Sequence, residues 1–418
     1  MKFSDLNIDE RILDAIDAMK YVDCTPIQEQ AIPPLLEGRD LIGIAQTGTG
    51  KTAAYLLPIL HKLCSENLPT DVINCIIMSP TRELAQQIDQ AMEAFSYFVP
   101  FSSVAVYGGN DGVRYQQELR GMQLGADVIV ATPGRLLSHI KLGNIDLSNV
   151  SFFVLDEADR MLDMGFYDDI MTIVSHLPKE RQTLMFSATM PSEIRNMANS
   201  ILKNPVEIKI AMTTPAEHID QKAYICSENQ KLGILKSLSE NGQLNRSVIF
   251  ASSKAKVKEL FSTLHKVNSN IGEIHSDLDQ KERDLVLRNF KNGQIDILIA
   301  TDIIARGIDI DDIETVINYD VPHDVEDYVH RIGRTARANR KGTAITFVNE
   351  KDAQYFKRIK QKVGKKIVLQ DLPNGMESTH SLQSEGEKKK NRPKNRDRRF
   401  YRGNKNKAKT KNSNSNPS

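Results

Sequence analysis

Short apolar runs recur along the chain, separated by longer stretches with the spacing of amphipathic helices. Leu41–Ile44, Ile73–Met78, Val104–Tyr107, Asp127–Val130, Phe152–Leu155 and Thr183–Phe186 make a first series. Val248–Ala251, Glu273–Ser276, Ile295–Ala300, Thr315–Asn318 and Gly342–Val348 make a second. Strands this short and apolar, alternating with helices, predict parallel sheets covered on both faces, an α/β fold. Residues 1–209 form the first predicted domain, 210–218 a linker and 219–371 a second domain, with Ile208–Pro215 as the hinge. Ahead of the first strand, Ile8, Ile12, Leu13 and Ile16 predict helix, punctuated by Pro26, Pro33 and Pro34. From about Leu372 the apolar pattern fades, and residues 372–418 read as a disordered tail.

The most informative stretch follows the first strand: Ala45-Gln46-Thr47-Gly48-Thr49-Gly50-Lys51-Thr52, running into Ala53, Ala54, Tyr55 and Leu56. A strand, a glycine loop and a helix start are the setting of a phosphate-binding loop. Gly48 and Gly50 let backbone N–H groups turn toward phosphate oxygens, Lys51 reaches the β/γ-phosphates, and the Thr52 hydroxyl suits Mg²⁺. The helix N-terminus adds partial positive charge. Ala45 stands where the general pattern has its first Gly. Only the first series carries such a loop, so one nucleotide held between two sheets is expected.

Composition adds limits rather than identity. A hydrophobic content of 40% and a charged content of 26% are those of an ordinary globular protein. The first residues are charged and lack an apolar core, and no apolar run approaches a membrane span, so a cytoplasmic protein is expected. Cys24, Cys64, Cys75 and Cys226 lack metal-ligand spacing and read as reduced thiols. Charge is more telling. Lys388–Ser418 holds thirteen Lys/Arg and one Asp, a charge of +12; taken from the chain's +1, this leaves −11 for the rest. A basic tail on an acidic body suits nucleic acid, with Phe400 and Tyr401 placed to stack on bases; a solvated solubility tail is the plainer alternative.

Four further features carry chemistry. Asp156 and Glu157 end a buried strand, where a carboxylate can hold Mg²⁺ beside Thr52 while its neighbour activates water. Arg334 and Arg337 share one face if their segment is helical, and from the second domain they would reach a γ-phosphate on closure. Gln28 offers an amide complementary to adenine, and Phe3 an aromatic face for the base. His275 has no His or Cys neighbour to complete a metal site and reads as structural or RNA-facing.

With Asp156-Glu157-Ala158-Asp159 the chain resembles the DEAD-box ATP-dependent RNA helicases, over Phe3 to about Val348. The resemblance implies two tandem RecA-like domains, ATP with Mg²⁺ as cofactors, and RNA as partner. Thr25-Pro26-Ile27-Gln28 with Phe3 resembles the Q motif, and Ala45–Thr52 motif I, including its Ala. On this likeness Pro80, Thr81, Arg82, Gly108, Gly109, Thr132, Pro133, Gly134 and Arg135 grip RNA from the first domain. Gln280, Arg283, Thr301 and Asp302 do so from the second. Gly307 and Asp309 contact nucleotide, Arg334 and Arg337 act as fingers, and Asp159, Ser187, Thr189 and His330 couple hydrolysis to unwinding. Lys20 replaces the family's usual Gly and Cys24 its frequent Pro. The short basic tail resembles most the bacterial RhlE-type group. The function implied is local, non-processive unwinding by a monomer, in ribosome assembly or RNA turnover. A DNA-stimulated helicase and an ATP-gated RNA clamp or chaperone are the rival readings.

Overall fold

Each predicted apolar run becomes a strand, or contributes most of one, and each strand pairs in parallel with its neighbours. The computed structural model describes residues 1–46, 48–108, 112–210, 219–266, 268–301, 313–336, 341–363, 367–373 and 376. The first sheet comprises β1 (Leu41–Ile44), β2 (Cys75–Met78), β3 (Ser103–Val106), β4 (Val128–Ala131), β5 (Phe152–Leu155), β6 (Gln182–Ser187) and β7 (Val206–Lys209). Its order is β3-β4-β2-β5-β6-β1-β7. The second comprises β8 (Ile219–Ile225), β9 (Ser247–Phe250), β10 (Ile271–Ile274), β11 (Ile297–Ala300), β12 (Thr315–Asn318), β13 (Gly342–Val348) and β14 (Ile367–Gln370). Its order, β10-β11-β9-β12-β13-β8-β14, repeats the first when each sheet is counted from its own first strand.

Alternation within each strand splits its side chains between two cores. Leu41, Cys75 and Val154 join the cluster on one face of the first sheet, and Ile42, Ile76 and Phe153 the cluster on the other. None of the five apolar clusters mixes described residues from the two sheets. The pairings Ile44↔Ser187, Leu155↔Met185 and Met78↔Leu155 line up the carboxyl ends of β1, β6, β5 and β2. The loops that follow them therefore meet along one edge, where open parallel sheets place ligands.

Three strands were absent from the sequence expectation. β7 and β14 are edge strands with partly exposed residues: charged residues interrupt β7, and the apolar run of β14 is only three residues long. β8 points a polar residue inward: Gln221 is 1% exposed and accepts a hydrogen bond from the Tyr328 hydroxyl at 2.9 Å. Ile208 and Lys209 belong to β7, so only the rest of the expected hinge lies beyond it, and residues 211–218 fall outside the described set. Near the amino terminus, a short 3₁₀ turn (Phe3–Asp5) precedes helices Glu10–Ala18 and Pro26–Leu36, with Pro33 and Pro34 inside the latter rather than ending it. Among the described residues no helix is long and apolar enough to cross a membrane. The expected tail lies outside the described residues, apart from Leu372, Pro373 and Met376.

Candidate active site

The glycine loop joins β1 to helix Lys51–Ser65. Gly48 and Gly50 have φ of 84° and 89°, a backbone region that side chains disfavour, which explains glycine at both. The Thr49 hydroxyl closes the turn by donating to the Gln46 carbonyl at 2.7 Å. Thr47 lies outside the described residues. Gln28 braces the loop from helix Pro26–Leu36: its Oε1 accepts from the Thr25 N–H at 2.8 Å, and its Nε2 donates to the Gly50 carbonyl at 3.0 Å. One amide hydrogen and one lone pair remain for a ligand.

Lys51 is 6% exposed, and among the described residues its Nζ has no hydrogen-bond partner. It lies 3.9 Å from Asp156 Oδ1. A buried ammonium without a donor target is costly unless an anion completes it, and the loop amides around it are arranged for one. Asp156 accepts from the Glu157 N–H at 2.9 Å and from the Tyr55 hydroxyl at 3.1 Å. Burial raises the Asp156 carboxyl above its ordinary range, Lys51 pulls it back, and Glu157 pushes it up again. Glu157 takes φ 53° and pairs with Arg160 at 3.0 Å. The Thr52 hydroxyl and Asp156 are the residues suited to Mg²⁺. Among the described residues no three His, Cys, Asp or Glu are grouped so as to hold a metal ion, so a cation here would take most ligands from phosphate and water.

Asp159 joins this strand end to the next. Its Oδ2 accepts from the N–H groups of Ala188 (3.1 Å) and Thr189 (2.8 Å) and from the Thr189 hydroxyl (3.0 Å). Ser187 Oγ accepts from the Asp159 N–H at 3.3 Å and donates to the Thr189 carbonyl at 2.7 Å. The expected coupling residues of the first sheet thus form one buried network, whereas His330 sits on helix Val325–Ile332 of the second.

The expected RNA-gripping residues follow β2, β3 and β4. Thr81 caps helix Arg82–Phe95 by accepting from the Leu84 N–H, with Pro80 just before it. Thr132 and Pro133 open helix Pro133–Lys141, and nothing lies within 4 Å of where a Gly134 side chain would start. Gly108 sits beside Arg82. Burial, then Arg283 and Arg135, lower the Arg82 pKa, as in a cationic groove. Arg82 Nη1 donates to Gln280 Oε1 at 3.3 Å, and Arg283 Nη1 lies 4.0 Å from Glu83 Oε1, so residues of both sheets meet here. Thr301 directly follows β11. Gly109, Asp302, Gly307, Asp309 and Arg337 lie outside the described residues.

Two expectations need correction. Arg334 does not lie on a helix: the helix stops at Ile332, Gly333 caps it, and Ala336 turns to φ 58°, while Arg337 lies outside the described residues. Thr335 is held there by its hydroxyl's bond to the Ile313 carbonyl. Phe3 offers no open face, being 3% exposed and stacked on Tyr21 at 6.4 Å; Tyr21, 51% exposed, carries the accessible ring. Sequence reasoning also passed over Tyr55, although its place one turn after Thr52 puts it within reach of the same strand end. His275 is buried and accepts from the Asp277 N–H, a structural role.

Two parallel sheets of one strand order, with a phosphate loop facing an acidic strand end, define a RecA-like nucleotide-dependent enzyme. Residues 25–197 match the family DEAD/DEAH box helicase, and residues 230–339 the helicase conserved C-terminal domain. The chain is 43% identical to the ATP-dependent RNA helicase CshA of Listeria monocytogenes over 367 residues, 88% of this chain and 69% of that protein. It is 40% identical to DeaD of Buchnera aphidicola over 374 residues, 89% of this chain but only 61% of that protein. The structure of S. cerevisiae Dbp5 bound to RNA and ADP BeF3 superposes with a TM-score of 0.78 at 32% identity, covering 88% of this chain and 95% of that one. The chain belongs to the DEAD-box ATP-dependent RNA helicases. These relatives lend no support to the narrower RhlE-type likeness.

Proposed function

We propose that ATP and single-stranded RNA jointly close the loops of the two sheets, and that the closed state hydrolyses ATP and parts short RNA duplexes locally. The observation that carries the ATP site is the buried Lys51 Nζ beside Asp156, which among the described residues has no hydrogen-bond partner. Lys51, the loop amides and the Gln46, Thr47 and Thr49 segment would hold the phosphates, with Thr25, Gln28 and the Phe3–Tyr21 stack on the base side. Mg²⁺, held by Thr52 and Asp156, would supply charge neutralisation at the phosphates. Glu157 would orient and deprotonate the attacking water, while Arg334 and Arg337 would meet the departing phosphate, with Gly307 and Asp309 toward the nucleotide.

The RNA path would run over Pro80–Arg82, Gly108–Gly109 and Thr132–Arg135, then Gln280, Arg283, Thr301 and Asp302. Backbone amides and arginines there would address phosphates rather than bases, giving little sequence preference. The Asp159–Ser187–Thr189 network, with His330 opposite, would relay the state of the nucleotide to that path. Structured RNA of ribosomal particles and RNA-decay complexes, met by a cytoplasmic monomer, is the substrate class such a reader suits. The test is the ATPase rate in matched titrations of single-stranded RNA and single-stranded DNA. Stimulation by RNA alone is expected, whereas equal stimulation by DNA would overturn the RNA assignment.

A further inference from the structure

A buried carboxylate that the nucleotide chemistry does not use sits between two of the RNA-facing loops. Glu118, on helix Gly112–Gln123, is 2% exposed. Its Oε1 accepts from the Tyr107 N–H at 3.3 Å, in the segment leading from β3 to Gly108. Its Oε2 accepts from Arg135 Nε at 2.8 Å and lies 3.1 Å from His139 Nε2. Arg135 and His139 are one turn apart on helix Pro133–Lys141, so both reach the same acceptor. A carboxylate only accepts, so His139 carries its proton on Nε2, and its Nδ1 faces Asn144 Nδ2 at 3.4 Å. Tyr115 completes the assembly: its ring stacks on His139 at 5.0 Å and lies 4.7 Å from the Arg135 guanidinium, and its hydroxyl accepts from Asn144 at 2.7 Å.

The inner edge of Arg135 is therefore fixed, while among the described residues its terminal nitrogens have no hydrogen-bond partner. A guanidinium held by Nε against a carboxylate and an aromatic ring presents its two outer nitrogens in one orientation, the fork that suits a phosphate. We propose that Glu118 is a positioning residue: one buried carboxylate locks Arg135 and the loop after β3 together, so that the two loops meet RNA as a single preformed surface. The proposal rests on the reading of those loops as RNA-binding.

The chemistry dictates the variants. Glu118→Gln is nearly isosteric, but its single oxygen can serve Arg135 Nε–H or Tyr107 N–H, not both, since the amide end would set donor against donor. Arg135→Lys keeps the charge and leaves Glu118 in place but removes the Nε–H bond. The measurement is half-saturation of the ATPase by a labelled single-stranded RNA oligonucleotide, with thermal melting as the folding control. Glu118→Gln should raise half-saturation about fivefold, the order of one ordinary hydrogen bond's net contribution, with kcat at saturating RNA within about twofold. In an Arg135→Ala or Arg135→Lys background the same substitution should change half-saturation by less than about twofold, because the bond it weakens is already gone. A full effect of Glu118→Gln in those backgrounds, or none in the parent, would overturn the positioning role. Unchanged RNA half-saturation in Arg135→Ala would overturn the RNA reading of the loop beneath it, and the proposal with it.

Discussion

Among the residues held in backbone conformations that their side chains disfavour, Lys20 and Glu157 are there for opposite reasons. Lys20 stands at φ 60° just past helix Glu10–Ala18, where the Tyr21 N–H bonds the Ile16 carbonyl at 3.2 Å and closes the helix end. Glycine is the residue for that position, and the left-handed region costs a lysine about 1 kcal/mol. Lys20→Gly should thus raise the melting midpoint by a degree or two; a fall would show that the side chain contributes more than the strain costs. Glu157 also sits at positive φ, but at the acidic strand end proposed to be catalytic, where strain is retained for geometry. Glu157→Gln should bind ATP and RNA yet lose turnover by about a hundredfold or more, the scale of a missing general base. Lys51→Ala should lose nucleotide binding as well, and equilibrium binding of a labelled ATP analogue separates the two. Both residues were legible in the sequence because their neighbours in the chain are part of the motif. Glu118, Tyr21 and Tyr55 were not, since each acts through a partner that only the folded chain brings near.

Most strands were legible from their apolar runs, the edge strand β3 included, whereas polar and charged residues hide β7 and β8 and a run of only three apolar residues hides β14. The second sheet adds an example at its carboxyl edge. Lys231 is fully buried and pairs with Asp320 at 3.0 Å and Glu228 at 2.9 Å, and Lys256 reaches Asp320 at 2.7 Å. A lysine in the first turn of a helix gives no hint of this from sequence. Burial alone would raise Asp320, but Lys256, Lys231 and the Ser252 N–H together hold it well below its ordinary 3.8. A depressed carboxylate stabilises the fold fully above its unfolded pKa, and that contribution fades as pH falls through the lower folded value. Lys231→Met should therefore cost about 2 kcal/mol at neutral pH, the order of a hydrogen bond to a charged group, since Lys256 still pairs with Asp320, and less near pH 3. Hydrogen exchange in β9, β12 and β13 at the two pH values measures it; a cost independent of pH would rule out the ion pair as its source.

Across the whole chain, charge is divided between a body of −11 and a terminal stretch of +12 from Lys388 onward. Removing residues 388–418 should weaken RNA affinity and flatten its dependence on salt, because fewer counterions are released on binding. An unchanged slope would show that the stretch is not a binding arm.

The repeated strand order, with its cores kept separate, has a consequence for how the enzyme can be divided. Each half owns the apolar clusters that would fold it, while only the first carries the phosphate loop. Because a peptide joins them, each half meets the other at a raised local concentration, of millimolar order for a short linker. Cut there, the halves become a two-component enzyme whose rate is second order in protein, with RNA and ATP serving as the glue.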